Sequence, residues 1–149
     1  MKKLLARTAA AVVLLSGLVG LTPSSPAMAS TCSTKGCGGE VTNHSSRLVY
    51  VVNCWLSSNP GTWRGNIPSC ATQWSAYASN AYFALGHPDT TNNYPKYYDT
   101  DAFRVDAGCV LTESDNGGAN QVYNNKGNST PLWVKISNPS GVLIYSVVC

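Results

Sequence analysis

Six cysteines, two histidines, one Trp-Arg dipeptide and a run of tyrosines are the side chains most able to do chemistry in this 149-residue chain. The cysteines are Cys32, Cys37, Cys54, Cys70, Cys109 and Cys149. All six follow a segment that reads as an export signal. An even set of thiols sent to an oxidising compartment is expected to pair, and paired sulfur is neither a nucleophile nor a zinc ligand. The expected bridges are Cys54–Cys70, Cys109–Cys149 and a local Cys32–Cys37 pair. The first would close a loop around Trp63 and Arg64, a span worth roughly 3 kcal/mol in the chain-entropy model.

The remaining chemistry is sparse. His44 sits in a polar stretch and His87 stands beside Pro88. No G-x-S-x-G elbow and no H-E-x-x-H helix motif occurs. Both histidines read as surface residues, so no catalytic residue is assigned and the chain is expected not to be an enzyme. A small secreted hydrolase using His44 or His87 is an alternative, because a Ser-His-Asp set can assemble from distant residues. Asp99, Asp101 and Asp106 offer carboxylates to a hard cation. An EF-type loop starting at Asp99 would need Gly at position 104, where Arg104 stands. The acidic run reads instead as a turn entering a strand, with Asp106 pairing Arg47 or Arg104. No metal and no cofactor are expected.

Recognition is better supported. Trp and Arg dominate binding hot spots, and here Trp63 and Arg64 are adjacent, with Pro60-Gly61 before them and Gly65-Asn66 after. A disulfide-closed loop loses little entropy on binding, as a protein inhibitor requires. Trp63, Arg64 and Asn66 are the leading binding residues. Tyr94, Tyr97 and Tyr98, close to Asn92, Asn93 and Asp99, form a second set suited to sugar faces. The leading expectation is a secreted, non-enzymatic binding protein of the inhibitor kind. The second is a carbohydrate- or cell-wall-binding module. The partner is expected to be an extracellular protein or polysaccharide.

The elements that must position these residues begin after the signal. Lys2, Lys3 and Arg7 precede an apolar run from Thr8 to Leu21, and Ala27-Met28-Ala29 supplies a small-x-small cleavage pattern. Residues 1–29 are read as the signal and residues 30–149 as one secreted domain. The apolar run is shorter than the roughly 20 residues a spanning helix needs, so no membrane attachment is expected after cleavage. Three of the ten basic residues belong to the signal, which leaves the domain with seven against seven acidic residues. A nucleic-acid ligand requires a basic surplus to displace counterions. The neutral balance excludes that class.

Within the domain, the pattern is mainly β. Arg47–Cys54 is a β-branched run of strand length. Phe103 and Val105 alternate with Arg104 and Asp106, and Leu132, Val134 and Ile136 alternate with Trp133, Lys135 and Ser137. Cys109–Thr112, Gln121–Asn124 and Val142–Val148 complete the strands, with a turn at 113–118. Residues 30–46 and 86–100 read as loops, and Asn138-Pro139-Ser140-Gly141 as a hairpin turn. Residues 70–83 carry apolar side chains at helical spacing, with a strand at Ala81–Leu85 as the rival reading. The expected fold is a small disulfide-stapled antiparallel β-sandwich or barrel with one short helix within 70–83.

Overall fold

In a computed structural model, ten strands form two five-stranded sheets. The residues described are 32–56, 58–68, 70–71 and 82–149. The expected signal, residues 1–29, and most of the expected helix, residues 72–81, lie outside them.

The strands are β1 (Glu40–Asn43), β2 (Val49–Val52), β3 (Thr62–Arg64), β4 (Phe83–Leu85) and β5 (Asp89–Thr90). They continue with β6 (Ala102–Val105), β7 (Val110–Asp115), β8 (Asn120–Asn124), β9 (Leu132–Lys135) and β10 (Gly141–Val148). One sheet has the order β5-β1-β10-β7-β8 and the other β3-β9-β6-β2-β4. All pairs are antiparallel except β1 with β10. The sheets stack as a sandwich, and no barrel closes.

The period-two residues fill the space between the sheets. Val49, Val51, Phe103, Val105, Leu132, Val134 and Ile136 from one sheet meet Val41, Leu111, Val142 and Ile144 from the other. Alternation puts every second side chain on that face, and burial of each large aliphatic is worth about 1.5–3 kcal/mol. Leu85 of β4 joins the same core, so the strand reading of 81–85 holds from Phe83 onward.

Three stretches fold differently from the expectation. Asn138–Gly141 is not a hairpin turn: β9 and β10 lie in different sheets, and the segment carries the chain between layers. Ser140 accepts from the Glu40 amide at 2.8 Å, which starts the parallel β1–β10 pairing. The presumed loop 30–46 contains β1. Its Asn43 is fully buried, and its Nδ2 donates to Arg47 O at 2.8 Å and Leu85 O at 3.0 Å. The turn expected at 113–118 begins later, because β7 runs on through Asp115.

The structure forms two of the three expected disulfides, Cys54–Cys70 and Cys109–Cys149. The second ties the last residue to the entry of β7. The third is a correction: Cys32 and Cys37 are free thiols.

Candidate recognition surface

Trp63 and Arg64 belong to an edge strand rather than a loop. Among the described residues β3 pairs only with β9, with Trp63 opposite Trp133. The Lys135 amide donates to Gly61 O at 2.9 Å and the Gly65 amide to Pro131 O at 3.0 Å. Antiparallel alternation then points the backbone groups of Gly61, Trp63 and Gly65 at β9 and those of Thr62 and Arg64 outward. Among the described residues, that outer side is an unpaired ladder edge beside an aromatic ring. Trp63 is 40% exposed. Its Nε1 donates to Asn66 O at 3.1 Å, so the backbone of Asn66, rather than its side chain, fixes the indole.

Behind Trp63 the register builds an aromatic row across the outer face of the sheet. Trp133 faces Trp63 on one side and Arg104 on the other. The β2–β6 register brings Tyr50 next to Arg104. The Arg104 guanidinium carbon lies 3.9 Å from the Tyr50 ring centroid, 5.2 Å from Tyr82 and 5.8 Å from Trp133. A cation over ring faces is held by their quadrupoles. Arg104 Nε also donates to Asp106 Oδ1 at 2.6 Å, one of the two pairings expected for Asp106. Trp133, Val52 and Ala102 form a second small core on this outer face, packed by Tyr50, Trp55, Ile67, Ala71 and Tyr82. The Cys54–Cys70 bridge holds down the segment that contributes Trp55, Ile67 and Ala71. The disulfide loop therefore covers the sheet rather than projecting from it.

Arg64 has a structural partner. Its side chain leaves from the inner side of β3, and Nη1 donates to Asn125 Oδ1, linking the edges of the two sheets. Asn125 is fully buried, and its Nδ2 reaches Val105 O at 3.2 Å, Asp106 O at 3.1 Å and Thr130 O at 3.0 Å. Asn125→Ala strands these carbonyls and is expected to cost about 2–3 kcal/mol. Arg64→Ala, at an exposed position, should cost less than about 1 kcal/mol. Urea midpoints of the two variants check the order; a larger loss at Arg64 would contradict it.

The tyrosine set does not form a platform. Tyr97 is 3% exposed and stacks on Phe83 with centroids 4.9 Å apart. Burial pushes its phenol up to about 12. Tyr94 packs on the same Phe83 at 4.4 Å and donates to Asp89 Oδ2 at 2.5 Å. Tyr98 is half-buried. The composition of 86–100 looked like a loop, but it holds two short 3-10 turns, Thr91–Asn93 and Pro95–Tyr97, and Tyr94 and Tyr97 pack on Phe83.

His44 and His87 come together, edge to face, with ring centroids 6.4 Å apart. Both are exposed. Among the described residues no serine or carboxylate hydrogen-bonds either ring. Among the described residues no group of three His, Cys, Asp or Glu side chains is placed to hold a metal. Asp99 Oδ1 accepts from Asn138 Nδ2 at 2.8 Å. Asp101 is 9% exposed, with Oδ2 lacking a partner among the described residues. Desolvation, then the charge of Asp99, raises its carboxyl to about 7, and Lys135 opposes the shift.

Sequence reasoning overlooked Tyr50, Tyr82, Arg104 and Trp133. The alternation had already placed Arg104 and Trp133 on outward faces. What it lacked was the pairing of β6 with β9. No known protein family, curated protein or solved structure matches this chain.

Proposed function

We propose that the protein is a secreted, non-enzymatic binding protein that engages an extracellular protein along β3, with Trp63 as the anchor. The observation that carries this reading is the coincidence of an exposed indole with an open ladder edge. An extended segment of a partner can add to the edge through the Thr62 and Arg64 backbone groups, and its side chain can pack on Trp63. The bridge and the aromatic row hold the edge rigid before binding, which limits the ordering cost and suits an inhibitor. Export would supply the oxidising compartment that the Cys54–Cys70 and Cys109–Cys149 bridges need.

The test is capture from the producer's culture fluid on immobilised protein. A protein retained by the wild type should bind at least about 30-fold more weakly to Trp63→Ala, the effect of losing a hot spot of 2 kcal/mol. A Thr62→Pro change, which blocks one outward amide, should weaken it as well. Equal retention by Trp63→Ala removes β3 from the reading. Sedimentation with cell-wall polysaccharide, unaffected by Trp63→Ala, would replace it with the carbohydrate reading.

A further inference from the structure

His44 and His87 are the only two histidines in the chain, and the fold brings them to one end of a strand pair. His44 directly follows β1, and His87 stands two residues before β5. β1 and β5 pair antiparallel with Asn43 opposite Asp89. The backbone around the histidines is fixed by bonds that involve neither ring. The His44 amide donates to Ile144 O at 2.8 Å, which continues the hold of β10 on β1. Asn43 is fully buried, and its Nδ2 donations to Leu85 O and Arg47 O tie β1 to the end of β4. Its Oδ1 accepts from the Ser45 amide at 2.9 Å and the Ser45 hydroxyl at 2.7 Å. One buried carboxamide thus fixes the turn that carries His44 to Leu85, two residues before His87.

The two imidazoles lie with ring centroids 6.4 Å apart and planes at 79°. A neutral ring nitrogen is the commonest protein ligand for transition-metal dications. Each metal–nitrogen bond is about 2.0–2.1 Å long, so two imidazoles on one ion have centroids about 5 to 6.5 Å apart, according to the angle at the metal. The observed separation falls within that range. Both side chains are exposed, so rotation about their torsions is open to aim one nitrogen of each ring at a shared point. Asp89 is not a third ligand. Its Oδ1 accepts from the Thr90 amide at 2.8 Å and from Asn93 Nδ2 at 2.9 Å, and its Oδ2 from the Tyr94 hydroxyl at 2.5 Å. Among the described residues no third His, Cys, Asp or Glu joins the pair. Water would take the remaining positions on an ion, as in an open site rather than a closed structural one.

We infer that His44 and His87 together form a two-imidazole site for a transition-metal dication such as Zn²⁺ or Cu²⁺. Cu²⁺ is the tighter of the two by the Irving–Williams order. Ca²⁺ and Mg²⁺ do not suit the pair, because hard cations take oxygen donors. The ion clips the end of β1 to the turn between β4 and β5. Since the Asn43 bonds fix the two segments relative to each other, the second imidazole binds intramolecularly and adds to the affinity of the first. The site uses no residue of β3, so it stands independently of the partner reading.

The experiment follows the imidazole proton resonances of the untagged protein, with Cys32 and Cys37 alkylated, during titration with Zn²⁺. Because the chain has only two histidines, His44→Gln and His87→Gln assign each ring without ambiguity. In the wild type both rings should shift together, with one midpoint. In either variant the remaining ring should need at least about 30-fold more Zn²⁺, because the intramolecular partner is gone. Ca²⁺ at the same concentrations should move neither ring. Equimolar Cu²⁺ should displace Zn²⁺ and broaden both rings. Two rings that shift at separate midpoints in the wild type overturn the shared site. So does a remaining ring that responds at the wild-type midpoint, or no shift of either ring up to about 1 mM Zn²⁺, an affinity too weak for a chelate. Zn²⁺ that resists equimolar Cu²⁺ overturns the order of the two metals.

Discussion

Trp133→Ala will lower the stability of the domain by about 3–5 kcal/mol, the cost of removing a large buried aromatic. Trp133 is 1% exposed although it points away from the main core. It is the centre of the outer cluster, touching Val52 and Ala102 and packed by Tyr50, Trp55, Ile67, Ala71 and Tyr82. Its ring lies 6.5 Å from Tyr82 and 5.8 Å from the Arg104 guanidinium. Alanine leaves a void beneath the Cys54–Cys70 segment, which the disulfide restrains from collapsing. The loss should appear as a lower urea midpoint at constant m.

The comparison with Trp63 gives this prediction its discriminating power. Trp63 sits directly opposite Trp133 in the ladder but is 40% exposed, so Trp63→Ala should cost no more than about 1 kcal/mol. The neighbouring indoles therefore divide their work: Trp133 holds the face and Trp63 presents it. Because β3 pairs only with β9 among the described residues, Trp133→Ala should also weaken partner capture. A stability loss below about 1.5 kcal/mol at Trp133 would show that the outer cluster is no second core. The claim that β3 is rigid before binding would then lose its support.

What could be read in the sequence was local. The alternation of 103–105 and 132–136 predicted which side chains face inward, because a strand with one buried face has only two choices. Six cysteines allow fifteen pairings and their spacing does not choose among them; of the expected set, Cys54–Cys70 and Cys109–Cys149 form. Non-local features were hidden. The turn residues of 138–141 announce a change of direction but not the sheet that the next strand joins. β1 carries three polar residues in four, and its strand exists because β10 and Thr90 accept it from distant positions. Tyr97 sits in a polar segment yet joins the main core, where it stacks on Phe83 of β4. Trp63 was legible as a candidate, but its place on a ladder edge required β9. The Cys32–Cys37 spacing allowed a bridge without fixing how the two thiols meet.

Asp101 makes the second large prediction, a dependence of stability on pH with a definite sign. Its carboxyl is raised from 3.8 to about 7 in the folded state, so the folded protein holds a proton that the unfolded chain releases near pH 4. The stabilising contribution is complete below pH 4, declines as pH rises toward 7, and is absent above 7. At 1.36 kcal/mol per pKa unit the total is on the order of 4 kcal/mol. The groups acting on the carboxyl are Asp99, which raises it, and Lys135, which opposes the rise; Cys32 stays neutral throughout this range. Glu113 is also raised by burial and adds a slope of the same sign. Asp89 is lowered by its hydrogen bonds to Tyr94, Asn93 and the Thr90 amide, against the desolvation that opposes them, and adds the reverse. Both cancel when the wild type is compared with Asp101→Asn at each pH. The amide keeps the shape and cannot ionise, so the stability of Asp101→Asn relative to wild type should improve by about 4 kcal/mol between pH 4 and pH 8. Urea titrations at four pH values would measure it. Parallel stability curves for the two proteins would mean that burial does not raise the Asp101 carboxyl in the fold.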